Sequence, residues 1–158
     1  MLHIEVIVIG KMKEPWMREG LKEYEKRIAA YAKLTITELP EYRLSENPSP
    51  AEIEKGLKEE GKHILQKAGN GPLCPLCIEG QLMSSEELAD LLKKAAQQSG
   101  SITFVIGGSF GLSDEVKRAG QKKLSFSRMT FPHQLMRVIL LEQLYRALSI
   151  NAGGKYHK

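Results

Sequence analysis

SITFVIGGSFGLSDEVKRAG, residues 101–120, decides the architecture of the chain. Its first six residues, Ser101 to Ile106, are apolar and rich in β-branched side chains. Such a run describes a strand covered on both faces, and therefore a central strand of a parallel sheet. Gly107-Gly108-Ser109-Phe110-Gly111 then turns the chain, and Ser113 can cap a short helix behind it. In α/β sheets, ligands bind beyond the carboxyl ends of strands, in turns of this kind. Glycine there lets a ligand approach the backbone. The spacing is neither the dinucleotide fingerprint GxGxxG nor a P-loop, since no Gly-Lys-Ser/Thr follows. By itself the turn fits a ligand site or a tight turn without one.

Working outward from this unit, the pattern repeats. Residues 3–9 alternate as a strand and 15–31 carry a helical stripe of Met17, Leu21, Tyr24, Ile28 and Tyr31. Residues 34–39 read as a second strand, followed by a loop broken by Pro40, Pro48 and Pro50. Ser49, Pro50 and Glu52 form the start signal of a helix running to about Lys67. An apolar strand is expected at 73–79. Ser84 and Glu87 form a second capping box, before a helix with Leu88, Leu91, Leu92 and Ala95 inward. A last strand at 123–126 and a long helix at 132–150, opened by Pro132, complete five strand–helix units. The expected fold is α/β, with a mainly parallel sheet and helices on both faces. It forms a single domain over 1–158.

Composition fits a globular chain, with 42% hydrophobic and 27% charged residues. The net charge of +4 is unevenly placed. Residues 1–68 hold 12 basic and 12 acidic side chains, whereas Lys117 onward holds nine basic and one acidic, Glu142. Such an excess suits a polyanionic partner, or is simply a solvated basic face. The opening MLHIEVIVIG has no basic leader, and its apolar run is too short for a span. A cytoplasmic location and no membrane partner are expected.

Other motifs carry less by themselves. The loop from Phe126 to His133 mixes apolar, hydroxyl and basic side chains, which can wall an adenosine. His133 alone is more commonly a capping or core histidine. Cys74-Pro75-Leu76-Cys77 lacks the second pair that a zinc site needs, so no metal is expected. Cysteines three apart on a strand face opposite sides, and Pro75 requires the strand to be bulged, at an edge or ending. The helix from Leu135 to Ile150 is apolar almost all round, as for packing on the sheet and on a second subunit. A central helix of a monomer would look the same. The tail Gly153-Gly154-Lys155-Tyr156-His157-Lys158 reads as frayed, or as an RNA-contacting end.

Four segments together are more specific. FVIGGSFGLS (104–113), LSFSRMTFPHQLMRVILLEQLYRA (124–147), the terminal YHK and the opening VIVIGKMKEPWMREGLKEYEKRI (6–28) resemble the RlmH family. These are bacterial 23S rRNA (pseudouridine-N3)-methyltransferases of the SPOUT class. The resemblance implies a C-terminal trefoil knot whose loops bind S-adenosylmethionine (SAM), the methyl donor. Its binding positions would be Leu76, Gly107, Phe126, Ser127, Arg128, Met129, Thr130 and Phe131. It also implies a homodimer through the C-terminal helix, with the active site at the subunit boundary. The implied substrate is N3 of a pseudouridine in helix 69 of 23S rRNA, on the assembled ribosome. In that setting His157 and Tyr156 of one tail would meet SAM bound by the other subunit. Arg137 or Arg128 would face developing negative charge or phosphate, and His133 would orient its loop. SAM site and basic surface would both lie mainly within 102–158. Two rivals stand beside this: a non-catalytic ribosome- or RNA-binding protein of the same fold, and a flavodoxin-like binder. The second would place its ligand at the first strand–helix turn, 10–14.

Overall fold

Strict alternation in the first strand builds both halves of the interior. In the computed structural model, which describes all 158 residues, β1 (His3–Ile9) sends Ile4, Val6 and Val8 into one core. It sends Ile7 and Ile9 into another, as a two-residue period dictates. The remaining elements follow in order: α1 (Pro15–Ile28), β2 (Lys33–Leu39), α2 (Pro50–Lys67), β3 (Leu73–Leu82) and α3 (Ser85–Gln98). Then come β4 (Ser101–Ile106), α4 (Asp114–Ala119), β5 (Leu124–Ser125) and α5 (His133–Asn151). The sheet order is β2-β1-β4-β3-β5, and every pairing is parallel.

The larger core lies between the sheet and α1, α3 and α5, with Phe104, Leu92, Leu140, Leu141 and Leu144 at its centre. The smaller core joins Ile7, Ile9 and Val105 to Ile64 of α2 and Val116 of α4 on the opposite face. Parallel connections are right-handed, so a step one way across the sheet uses one face and the return step uses the other. The helix after β3 therefore lies on one face and the helix after the neighbouring β4 on the other. A crevice opens between such strands at their carboxyl ends. Here it is widened, because β3 stays with β4 only from Leu73 to Pro75. From Leu76 it pairs with β5 instead, with an irregularity between Leu76 and Gln81. Pro75 is thus where the β3–β4 ladder ends.

Both expected capping boxes are present, at Ser49/Glu52 and Ser84/Glu87. Each cap stabilises its helix by about 1 kcal/mol. Four boundaries differ from expectation, the first being β3, which runs on to Leu82 instead of ending at 79. Helix α1 stops at Ile28, where Tyr31 and Ala32 N–H groups bond back to its carbonyl and release the chain into β2. Strand β5 shrinks to two residues, because the irregularity in β3 leaves only Leu76, Gln81 and Leu82 to pair with it. Pro132 is the N-cap of α5, not its first helical residue.

Candidate cofactor pocket and C-terminal arm

The crevice holds a cavity of about 650 Å³, within the range of small-molecule sites. Leu76 lines it from the point where β3 parts from β4, Ile106 from the end of β4, and Gly107 and Gly108 from the turn after β4. Phe126, Ser127, Met129, Thr130 and Phe131 line it from the β5–α5 loop, and His133 and Met136 from the first turn of α5. Of the eight positions implied for cofactor binding, seven meet on this one surface, although they come from three separate segments. Arg128 does not; it is exposed and outside the lining.

The wall is shaped for a ligand that bonds to backbone. Gly107 faces the turn so closely that a Cβ there would overlap the Gly111 carbonyl. Gly111 itself has φ +83, which favours glycine. Residues 127–131 make no backbone–backbone hydrogen bond. Apart from the Met129 N–H, which donates to Ser127 Oγ, and the Ser127 carbonyl, which accepts from Ser125 Oγ, this loop's peptide groups remain open to a ligand. Apolar side chains with a strip of free amide groups fit an adenosine well. At the rim, Lys117 pairs with Glu79 at 2.6 Å. That contact holds Glu79 below the usual carboxylate range and raises Lys117.

The first strand–helix turn is closed by the protein itself. Met12 N–H donates to Glu38, and Arg18 donates to the Met12 carbonyl. Gln134 of α5 bonds the backbone at both Lys11 and Lys13. The flavodoxin-type ligand position is therefore filled.

Arg137 lies beneath this turn and not in the cavity. Its side chain is 2% exposed and pairs with Glu38 at 3.2 Å. The same guanidinium donates to the Ile9 and Gly10 carbonyls at 2.7 and 2.9 Å, and its Nε has no partner. Burial lowers its pKa against the pull of Glu38. The expectation that Arg137 faces developing charge is corrected accordingly: the guanidinium anchors α5 to the ends of β1 and β2. Its neighbours could be known only from the tertiary fold.

The tail is not frayed. Tyr156 Oη donates to Glu142 at 2.8 Å, and its ring stacks edge-on against Tyr145 with centroids 4.7 Å apart. Arg146 lies over the same ring at 4.7 Å and pairs with Glu142 at 2.8 Å. His157 Nδ1 bonds Arg146 at 3.2 Å, and Nε2 bonds Glu86 of α3. Neither Tyr156 nor His157 lines the cavity of its own chain. Sequence reasoning missed Glu142, Arg146 and Glu86 as the tail's holders. One signal pointed there: Glu142 is the single acid after Lys117.

This α/β crevice, with its glycine turn and open loop before the last helix, is that of the SPOUT methyltransferases. A family model described as "Predicted SPOUT methyltransferase" matches residues 2–157, and the chain belongs to that family. More particularly, it is 48% identical to ribosomal RNA large subunit methyltransferase H of Lactococcus lactis subsp. cremoris, covering 99% of this chain and 100% of that protein. The same holds for the enzyme of that name from Clostridioides difficile, at 48% identity over 99% and 100%. A Legionella pneumophila protein solved with the cofactor SAM superposes with a TM-score of 0.52 at 14% identity, over 97% of this chain and 67% of that one. At that identity the likeness is one of fold.

Proposed function

We propose that the protein is a SAM-dependent rRNA methyltransferase that methylates N3 of a pseudouridine in helix 69 of 23S rRNA, on the assembled ribosome. The observation that carries the reading is the meeting of Leu76, Gly107 and Phe126–Phe131, Arg128 aside, around one cavity. The methyltransferase H relatives, matched end to end, supply the substrate class. On this reading the C-terminal part forms a trefoil knot, two copies pair through α5, and the enzyme works in the cytoplasm, where ribosomes are.

When bound, SAM supplies a methyl group already activated on a sulfonium. The chain's own work is then to bind, align and exclude water. The free peptide groups of 127–131 hold the adenosine while Leu76, Phe126 and Phe131 wall it. Tyr156 and His157 of one subunit serve the cavity of the other; neither lines the cavity of its own chain. The basic surplus after Lys117 meets the rRNA phosphates. A non-catalytic RNA-binding role is the second reading, and the open peptide groups of the loop favour the first.

Calorimetry with SAM, followed by mass spectrometry of ribosomes incubated with the protein and isotope-labelled SAM, tests this. One labelled methyl on the helix 69 pseudouridine of intact ribosomes is expected. RNA binding without SAM binding would leave only the non-catalytic role.

A further inference from the structure

Moving a methyl to an imide nitrogen requires that nitrogen to lose its proton, so some group must take it. We propose that His133, on the wall of the cofactor's own cavity, is the group that accepts this proton. The inference rests on the methyltransferase reading above and assigns a role that neither the family match nor the relatives' names contain.

Four titratable side chains line the cavity: Cys77, Glu79, Lys117 and His133. Glu79 and Lys117 are spent on each other at 2.6 Å. Burial and the facing Glu79 push the Cys77 thiol up, so it stays protonated. His133 is half-buried, and no hydrogen bond of its ring contributes to its environment. The ring therefore stands on the cavity wall, at the first turn of α5, with no hydrogen bond tying up its nitrogens.

The tail offers no such lone pair. Both ring nitrogens of His157 are engaged, by Arg146 and Glu86. The Tyr156 hydroxyl donates its hydrogen bond to Glu142, and burial with that bond raises its pKa. These groups are built to hold the arm's shape, which suits packing over a base better than taking its proton.

The surroundings of His133 keep it neutral. Burial lowers its pKa from 6.5. Arg137 on its own helix and Lys13 from the β1–α1 loop lower it further, and Glu41 from the β2–α2 loop opposes them. The positive end of the helix dipole adds to the effect. A lowered value leaves the lone pair free throughout the neutral range and lost only as pH falls through it. The position is also fixed. Gln134 clamps the first turn of α5 to Lys11 and Lys13, and Arg137 anchors the next turn.

The step balances. The N3–H bond breaks and its proton passes to the imidazole. The sulfonium's S–CH3 bond breaks and N3–CH3 forms. The positive charge leaves sulfur and reappears as imidazolium, which returns its proton to water when product departs.

The test uses the full chain, unmethylated ribosomes and three measurements. Calorimetry gives SAM affinity for wild type and His133→Gln. Single-turnover methylation gives the rate of each against pH. NMR titration of the His133 ring gives its pKa directly in the protein without substrate. We expect His133→Gln to bind SAM within about twofold of wild type and to methylate at least about a hundredfold more slowly at neutral pH. The wild-type rate should rise to a plateau at the pKa seen for His133. The variant should lose that step and climb steadily into alkaline pH as the base ionises unaided. If His133→Gln loses SAM binding, His133→Ala with added imidazole replaces it, and rate recovery in proportion to neutral imidazole is then expected. A variant with the wild-type profile, a step displaced from the His133 pKa, or no imidazole rescue overturns the assignment alone. A wild type that neither binds SAM nor methylates removes the functional reading itself.

Discussion

Glu142 shows how one carboxylate can organise a segment of opposite charge. It is the only acid after Lys117, among nine basic residues, and both its oxygens are used, by Arg146, Gln143 and Tyr156. Burial works against its ionisation. The hydrogen bonds and charge of Arg146, with the Tyr156 hydroxyl, outweigh burial and hold it below the usual carboxylate range. The latch is thus complete above ordinary carboxylate pH and opens only as pH falls through that lowered value. Glu142→Gln keeps the volume but removes the charge. It should weaken the arm's docking by about 1 kcal/mol. Amide exchange in 152–158 should rise several-fold and methylation should fall, while SAM affinity stays unchanged. Unaltered exchange would show that the arm is held by its aromatic contacts alone.

Among the elements, the sequence was most readable where local chemistry decides. Ser49/Glu52 and Ser84/Glu87 announce their helices because a cap is satisfied within four residues. The apolar run Ser101–Ile106 identifies the central strand because coverage on both faces leaves no alternation. Strand β5 was overestimated because its length depends on β3, which leaves β4 at Pro75 and turns outward. The cavity positions followed from the family resemblance, whereas the uncommitted state of His133 and the burial of Arg137 did not. Those depend on Glu41, Glu38 and the ends of β1, which lie about a hundred residues away and become neighbours only in the fold. The glycine turn gives a direct test of the cavity wall. In Gly107→Ala the new methyl would press on the Gly111 carbonyl, so the turn must open. SAM affinity, measured by calorimetry, should drop about tenfold or more, with the thermal transition only modestly lowered. Full affinity would place the ligand away from this turn.

At the scale of the whole molecule, the separation of arm and cavity in one chain becomes a statement about two. If the arm of each subunit serves the other's cavity, two inactive proteins can repair each other. His133→Ala supplies a sound arm and a broken cavity; His157→Ala supplies the reverse. Random pairing after unfolding and refolding them together gives half mixed dimers, each with one intact site. About a quarter of wild-type activity should then return. No recovery would mean that the arm and cavity of one chain work together.

Helix α5 carries His133 at one end and the holders of the arm, Glu142 and Arg146, further along. Its 19 residues make a rod about 28 Å long. The rod acts as a ruler: it fixes how far, and in which direction, the arm stands from the cavity of its own chain. One residue inserted between Arg137 and Glu142 would swing the arm by about 100° and lengthen the rod by only about 1.5 Å. Helix length is therefore a dimension of the active site, although most of the residues that set it touch no ligand.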